Sequence, residues 1–132
     1  RVSKLVEDFG FEDIVNIRGY VDLSTTEVIM GLDLVVMATK DFEGFGLTII
    51  EALHSGVPVI ATRVGIVPEL FSKEDVMAIM PSDHSGMAKA LEKFICTQDK
   101  NSLISEEIRN QLHKFDSKVS SKRYRDHLIG KF

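Results

Sequence analysis

The segment Glu43 to Ala52 sets two carboxylates and two glycines in the order E-G-F-G-L-T-I-I-E-A. Gly44 and Gly46 lack a Cβ, so the backbone there can take conformations closed to other residues and a ligand can come against bare amides. A helix that begins near Leu47 turns unpaired N–H groups and the positive end of its dipole toward whatever lies over the loop, which makes a seat for phosphate. Glu51 stands one turn into that helix. Helical Cα–Cβ bonds lean toward the N-terminus, so its carboxylate can reach back toward the same ligand. An acceptor-only group beside a phosphate seat suits the neighbouring hydroxyls of a ribose. Glu43, on the loop before the helix, falls on the other side of the phosphates, where a sugar could lie. Together these groups describe a site for a sugar nucleotide.

The elements that must position the segment are legible on either side of it. Leu34 to Ala38 is an apolar run of strand length, and Leu47 to His54 has a helical pattern closed by Gly56 and Pro58. The segment is therefore a strand-to-helix loop of an α/β unit. Upstream, Ser3 to Phe9 reads as the end of a helix stopped by Gly10, and Ile14 to Arg18 as a strand. Ser24-Thr25-Thr26-Glu27 has capping-box spacing and starts a short helix to Met30. Downstream, Val59 to Thr62 and Val76 to Met80 are two more strands, and apolar residues recur at helical spacing from His84 to Thr97. Strands alternating with helices imply a parallel sheet with right-handed crossovers.

The residues Glu43-Gly44-Phe45-Gly46-Leu47, Glu51-Ala52, Gly56-Val57-Pro58-Val59-Ile60-Ala61-Thr62 and Val64-Gly65 through Pro68-Glu69-Leu70 resemble the donor-binding core of the retaining glycosyltransferases of group 1, or family 4. The resemblance covers residues 1–95 well and the tail more loosely, and it is more specific than a lone glycine pair. It implies an α/β, Rossmann-like parallel sheet with helices on both faces, the C-terminal half of a GT-B fold. It also implies a hexosyltransferase of polysaccharide biosynthesis that takes a hexose from a nucleoside-diphosphate sugar with retention at the anomeric carbon. By position, Glu43 would contact the donor sugar near the reacting centre and stabilise positive charge on it, with Gly44, Phe45 and Gly46 placing amides along the sugar. Leu47 and Thr48 amides would meet the diphosphate, Glu51 would hold the ribose, and Tyr20 and Val21 would offer backbone contacts to the base. The family needs no bound metal and no cofactor beyond the nucleotide sugar, because positive groups and the helix dipole neutralise the leaving diphosphate.

Two departures stand out. Gly65-Ile66 replaces the Gly-Gly of many relatives, which hinders a backbone approach at Ile66, and Ala38-Thr39 replaces Pro-Ser while keeping the hydroxyl. The basic pair that grips the diphosphate, the first strands of the domain and the acceptor-binding N-terminal domain are all expected upstream of Arg1. Residues 1–132 therefore read as a partial C-terminal nucleotide-sugar-binding domain, inactive alone, with exposed apolar edges. Two other classes stay open: a non-catalytic nucleotide-binding remnant, and a GT-B nucleotide-sugar epimerase.

Composition fits one small domain. The 132 residues are 44% hydrophobic, enough for a core, and the net charge of −4 speaks against nucleic acid. A single cysteine, Cys96, excludes an internal disulfide framework and suits a reducing cytoplasm; on an amphipathic helix it reads as a small buried hydrophobe. From Gln111 to Phe132 the chain turns basic, with six Lys or Arg against Asp116 and Asp126, and Tyr124, Leu128 and Phe132 form an apolar stripe. This reads as a last helix packed on the sheet or crossing to the missing domain, with peripheral contact to an anionic membrane as the second reading. Other groups fare poorly. A glycoside hydrolase needs two carboxylates flanking one bond, whereas Glu51 stands on a helix beside a phosphate seat. No third glycine follows Gly46, so the dinucleotide fingerprint fails, and the four histidines have no metal-ligand spacing. Asp33 and Glu69 read as caps or turn formers, with Glu69 kept as a weak site candidate.

Overall fold

The computed structural model describes residues 2–116, 118, 119, 121, 122 and 125. The chain runs α1 (Val2–Asp8), α2 (Thr25–Met30), β1 (Val35–Met37), α3 (Leu47–His54), β2 (Val59–Thr62), α4 (Val67–Leu70), β3 (Ala78–Ile79), α5 (His84–Cys96) and α6 (Glu106–Leu112). Short 3-10 turns at Lys100–Leu103 and His113–Phe115 flank α6. The three strands are parallel in the order β1-β2-β3, with Val35, Val36 and Met37 opposite Val59, Ile60 and Ala61, and Ala61 and Thr62 opposite Ala78 and Ile79. The alternation of strands with helices thus yields the expected α/β fold.

Local chemistry explains the boundaries. Ser24 and Glu27 form the reciprocal capping box, with the Ser24 amide donating to Glu27 Oε2 at 2.8 Å and the Glu27 amide donating to Ser24 Oγ at 3.2 Å. The Ser24 hydroxyl, and then its amide, hold the Glu27 carboxyl below its ordinary pKa. Helices α1 and α3 both end in a Schellman motif: Gly10 at φ +68° and Gly56 at φ +77° let the next residue's amide return to Val6 O (2.9 Å) and Ala52 O (2.9 Å). Asp83 and Ser105 cap α5 and α6 through the amides of Gly86 and Ile108. Asp33 caps no helix.

β2 is buried at all four positions, so both of its faces are covered. Ile49, Ile50, Ala52 and Leu53 of α3, Val67 and Leu70 of α4, and Ile108 and Leu112 of α6 join it in one core. α6 packs against both α3 and α4, α2 against α3, and α5 against β2 and β3. No helix among the described residues is long and apolar enough to cross a membrane.

Three expectations are corrected. Ile14 to Arg18 forms no strand: the amides of Ile14 (3.1 Å) and Val15 (2.8 Å) turn back to Phe11 O, no strand among the described residues pairs with the segment, and Ile14 is 79% exposed. Cys96 is exposed rather than buried, because it ends α5 off the stripe that carries Met87, Leu91 and Phe94. The basic segment is not one helix from residue 111: α6 ends at Leu112, a 3-10 turn follows, and Asp116 leaves helical conformation at ψ 132°. The stripe of Tyr124, Leu128 and Phe132 lies outside the described residues, as does most of the membrane-contact reading.

Hydrogen exchange should follow this burial. Amides of β2 and the second half of α3 are expected to exchange slowest and those of residues 16–23 nearly freely; protection across 16–18 comparable to that of β2 would contradict the absence of strand pairing there.

Candidate functional site

The site is built where β1 hands over to α3. Thr62, the buried polar residue at the end of β2, donates its hydroxyl to Thr39 O at 2.7 Å, which ties the start of the loop to the neighbouring strand. Arg63 then reaches across to Ser72 O (2.6 Å) and Lys73 O (3.0 Å), fixing the turn that leads to β3. The loop therefore springs from a frame held at the carboxyl ends of parallel strands, the usual place for ligands in such sheets.

Gly46 is the N-cap of α3, at φ +94°, and is buried. A Cβ at this position would fall 3.2 Å from Ile66 Cγ2 and 3.3 Å from Ile49 Cδ1. Gly65, at φ +57°, is tighter still: a Cβ there would lie 2.9 Å from Glu43 Cγ and 3.1 Å from Phe45 O. The side chain of Glu43 thus lies flat on the Gly65 backbone. Between the two glycines the Ile66 amide donates to Phe45 O at 3.0 Å, joining the two loops. The expected hindrance at Ile66 takes a definite form: its amide is used inside the fold and its side chain is buried against Gly46.

The start of α3 is open. Gly46 O accepts from the amides of Ile49 (3.0 Å) and Ile50 (3.4 Å), while the amides of Leu47 and Thr48 bond no other described residue. Leu47 and Thr48 are exposed. Glu51 lies one turn further on and is half-buried, and neither its carboxylate nor that of Glu43 accepts a hydrogen bond from a described residue. Two free amides at a helix N-terminus and two unengaged carboxylates make an arrangement able to take a phosphate between hydroxylated groups. Gly44 differs from its neighbours: it has no positive φ, and a Cβ there would meet nothing within 4 Å. The fold itself does not demand glycine at 44.

The structure gathers Glu43, Gly44, Phe45, Gly46, Leu47, Thr48 and Glu51 onto one loop and helix start. Tyr20 and Val21 lie on a different segment, in irregular chain before α2, with Tyr20 95% exposed. Three groups near the loop were given no role by the sequence. Thr62 anchors it, Lys40 borders a crevice of about 330 Å³ at the strand ends together with Thr62, Ile79, Asp83 and His84, and Phe115 meets the ring of Phe45. No cluster of His, Cys, Asp or Glu among the described residues could hold a metal ion.

The family described as "Glycosyl transferases group 1" matches residues 1–97. N-acetyl-alpha-D-glucosaminyl L-malate synthase of Bacillus anthracis is 28% identical over 114 residues, covering 86% of this chain and 29% of that protein. The lipopolysaccharide core biosynthesis mannosyltransferase LpsB of Rhizobium meliloti is 45% identical over 67 residues, covering 48% of this chain and 19% of that protein. This chain thus spans less than a third of either relative. Among solved structures, Anabaena Alr3699/HepE in complex with UDP and glucose superposes with a TM-score of 0.84 over 98% of this chain and 35% of that one, at 21% identity. That likeness establishes a shared fold.

Gly65→Ala should cost about 1–3 kcal/mol of stability, because it adds left-handed strain and a clash with backbone, whereas Gly44→Ala should stay within about 0.5 kcal/mol of the wild type. Denaturant melts of the two variants check the contrast; equal losses would mean that the glycines do not divide in this way.

Proposed function

The chain belongs to the glycosyl transferases of group 1, and on that premise we propose that it is the donor-binding part of an enzyme that transfers a hexose from a nucleoside-diphosphate sugar to an acceptor with retention at the anomeric carbon. The observation that carries the reading is the pairing of free Leu47 and Thr48 amides at the start of α3 with Glu43 seated on Gly65. The diphosphate is received by those amides and by the helix dipole, which favours an anion by about 0.3–1 kcal/mol at an exposed terminus. Glu51 accepts from the ribose hydroxyls. The open backbone at Gly44 to Gly46 lies along the hexose, and Glu43 faces its anomeric side, where a carboxylate stabilises the positive charge that develops as the bond to the diphosphate breaks. Tyr20 and Val21 border the base through their backbone.

In this reading no resident metal or cofactor is needed, because the charge on the leaving diphosphate is met by backbone dipoles and by cationic side chains. Those cations, the acceptor site and the N-terminal domain that bears it belong to the longer protein. So does the retaining course, in which the acceptor attacks the face the diphosphate leaves. Peripheral membrane contact through 111–132 and a cytoplasmic location belong to the same proposal. Supporting the donor-binding reading are the UDP, glucose and UDP-glucose named with the Anabaena structures, and the mannosyltransferase among the relatives.

Calorimetric titration of the chain with UDP, GDP, ADP and their sugar conjugates tests the site. One nucleotide should bind, and Glu51→Ala should weaken it by about 1–3 kcal/mol, the loss expected for hydrogen bonds to a charged group. Gly44→Ala should weaken the sugar conjugate more than the bare nucleotide while leaving the melt unchanged. A folded chain that binds none of the panel would defeat donor binding by this domain.

A further inference from the structure

Phe45 lies between two glycines in the loop that carries Glu43, so its own peptide units have little local restraint. Two contacts hold it. Its carbonyl accepts from the Ile66 amide at 3.0 Å, and its ring meets the ring of Phe115 edge-on, with centroids 5.8 Å apart and planes at 73°. That geometry is the favoured one for an aromatic pair. Phe115 closes the 3-10 turn after α6 and packs against the core that α6 shares with α3 and α4. Phe45 is 44% exposed even with this contact, so Phe115 supplies a wall to a loop that is open to solvent elsewhere.

We propose that Phe115 is a positioning residue for the sugar half of the donor site: through Phe45 it holds the Glu43 to Gly46 peptides in the orientation in which Glu43 lies on Gly65. The proposal rests on the donor-binding reading above and adds to it a residue from the far end of the chain. The nucleotide half depends on different supports. Leu47, Thr48 and Glu51 sit on α3, whose Ile49, Ile50, Ala52 and Leu53 are buried whatever happens to the Phe45 ring. Loss of the aromatic pair should therefore loosen the hold on the sugar and spare the hold on the nucleotide.

The test is titration of the chain with UDP, GDP and ADP and with their glucose and mannose conjugates, comparing wild type with Phe115→Ala, Phe115→Leu and Phe115→Tyr. For the nucleotide that binds, Phe115→Ala should weaken the sugar conjugate roughly 3- to 10-fold relative to the bare nucleotide, the span expected for an aromatic pair. Phe115→Tyr should keep the wild-type ratio. In a Phe45→Ala background the Phe115 effect should vanish, since the two act as one unit. If Phe115→Ala fails to fold, Phe115→Leu, which keeps the packing against α6 but not the edge-on contact, carries the same expectation. A folded variant whose affinity falls equally for nucleotide and conjugate, or does not fall at all, overturns the proposal while leaving the donor site standing. A wild-type chain that binds none of the panel overturns both.

Discussion

Everything at the candidate site depends on two loops being able to touch through their backbones. The Ile66 amide can reach Phe45 O only because Gly65 and Gly46, both at positive φ, leave no Cβ in the gap. Any side chain at 65 would meet Glu43 and the Phe45 carbonyl. The approach seats Glu43 on the Gly65 backbone, fixes the N-cap of α3 and leaves the next two amides without a partner among the described residues. One steric allowance thus sets both the carboxylate and the phosphate seat.

That contact would not persist on loops alone. β2, buried on both faces, presents Thr62 beneath the first loop, where its hydroxyl meets Thr39 O, and Arg63 just after it reaches Ser72 O and Lys73 O of the turn that leads to β3. α3 carries the site on one side and the core on the other. Its four buried residues explain how an exposed helix start can be rigid enough to hold a ligand. The edge-on contact of Phe45 with Phe115 extends this frame to the end of α6.

Much of this was legible from residue types. The capping box at Ser24, the stops at Gly10 and Gly56, the helix from His84 and the strand at Val59 all appear where local chemistry placed them, because each is decided within about four residues. The segment at Ile14 shows the limit: its composition suits a strand, but a strand exists only where a partner accepts its hydrogen bonds. Cys96 shows another, since a shift of a few residues around α5 moves a side chain from the packed stripe to solvent.

For the site, the sequence by itself determined which groups are present and their order: two glutamates, two glycines and a helix start. Spacing along one chain is sufficient for that. Only the tertiary structure decided which glycine is required by packing and which is not, that the Ile66 amide is consumed inside the fold, and that Thr62 and Phe115 brace the loop. These depend on residues between about twenty and seventy positions apart being brought within a few ångströms, and such contacts are set by the packing of the whole core rather than by any local pattern.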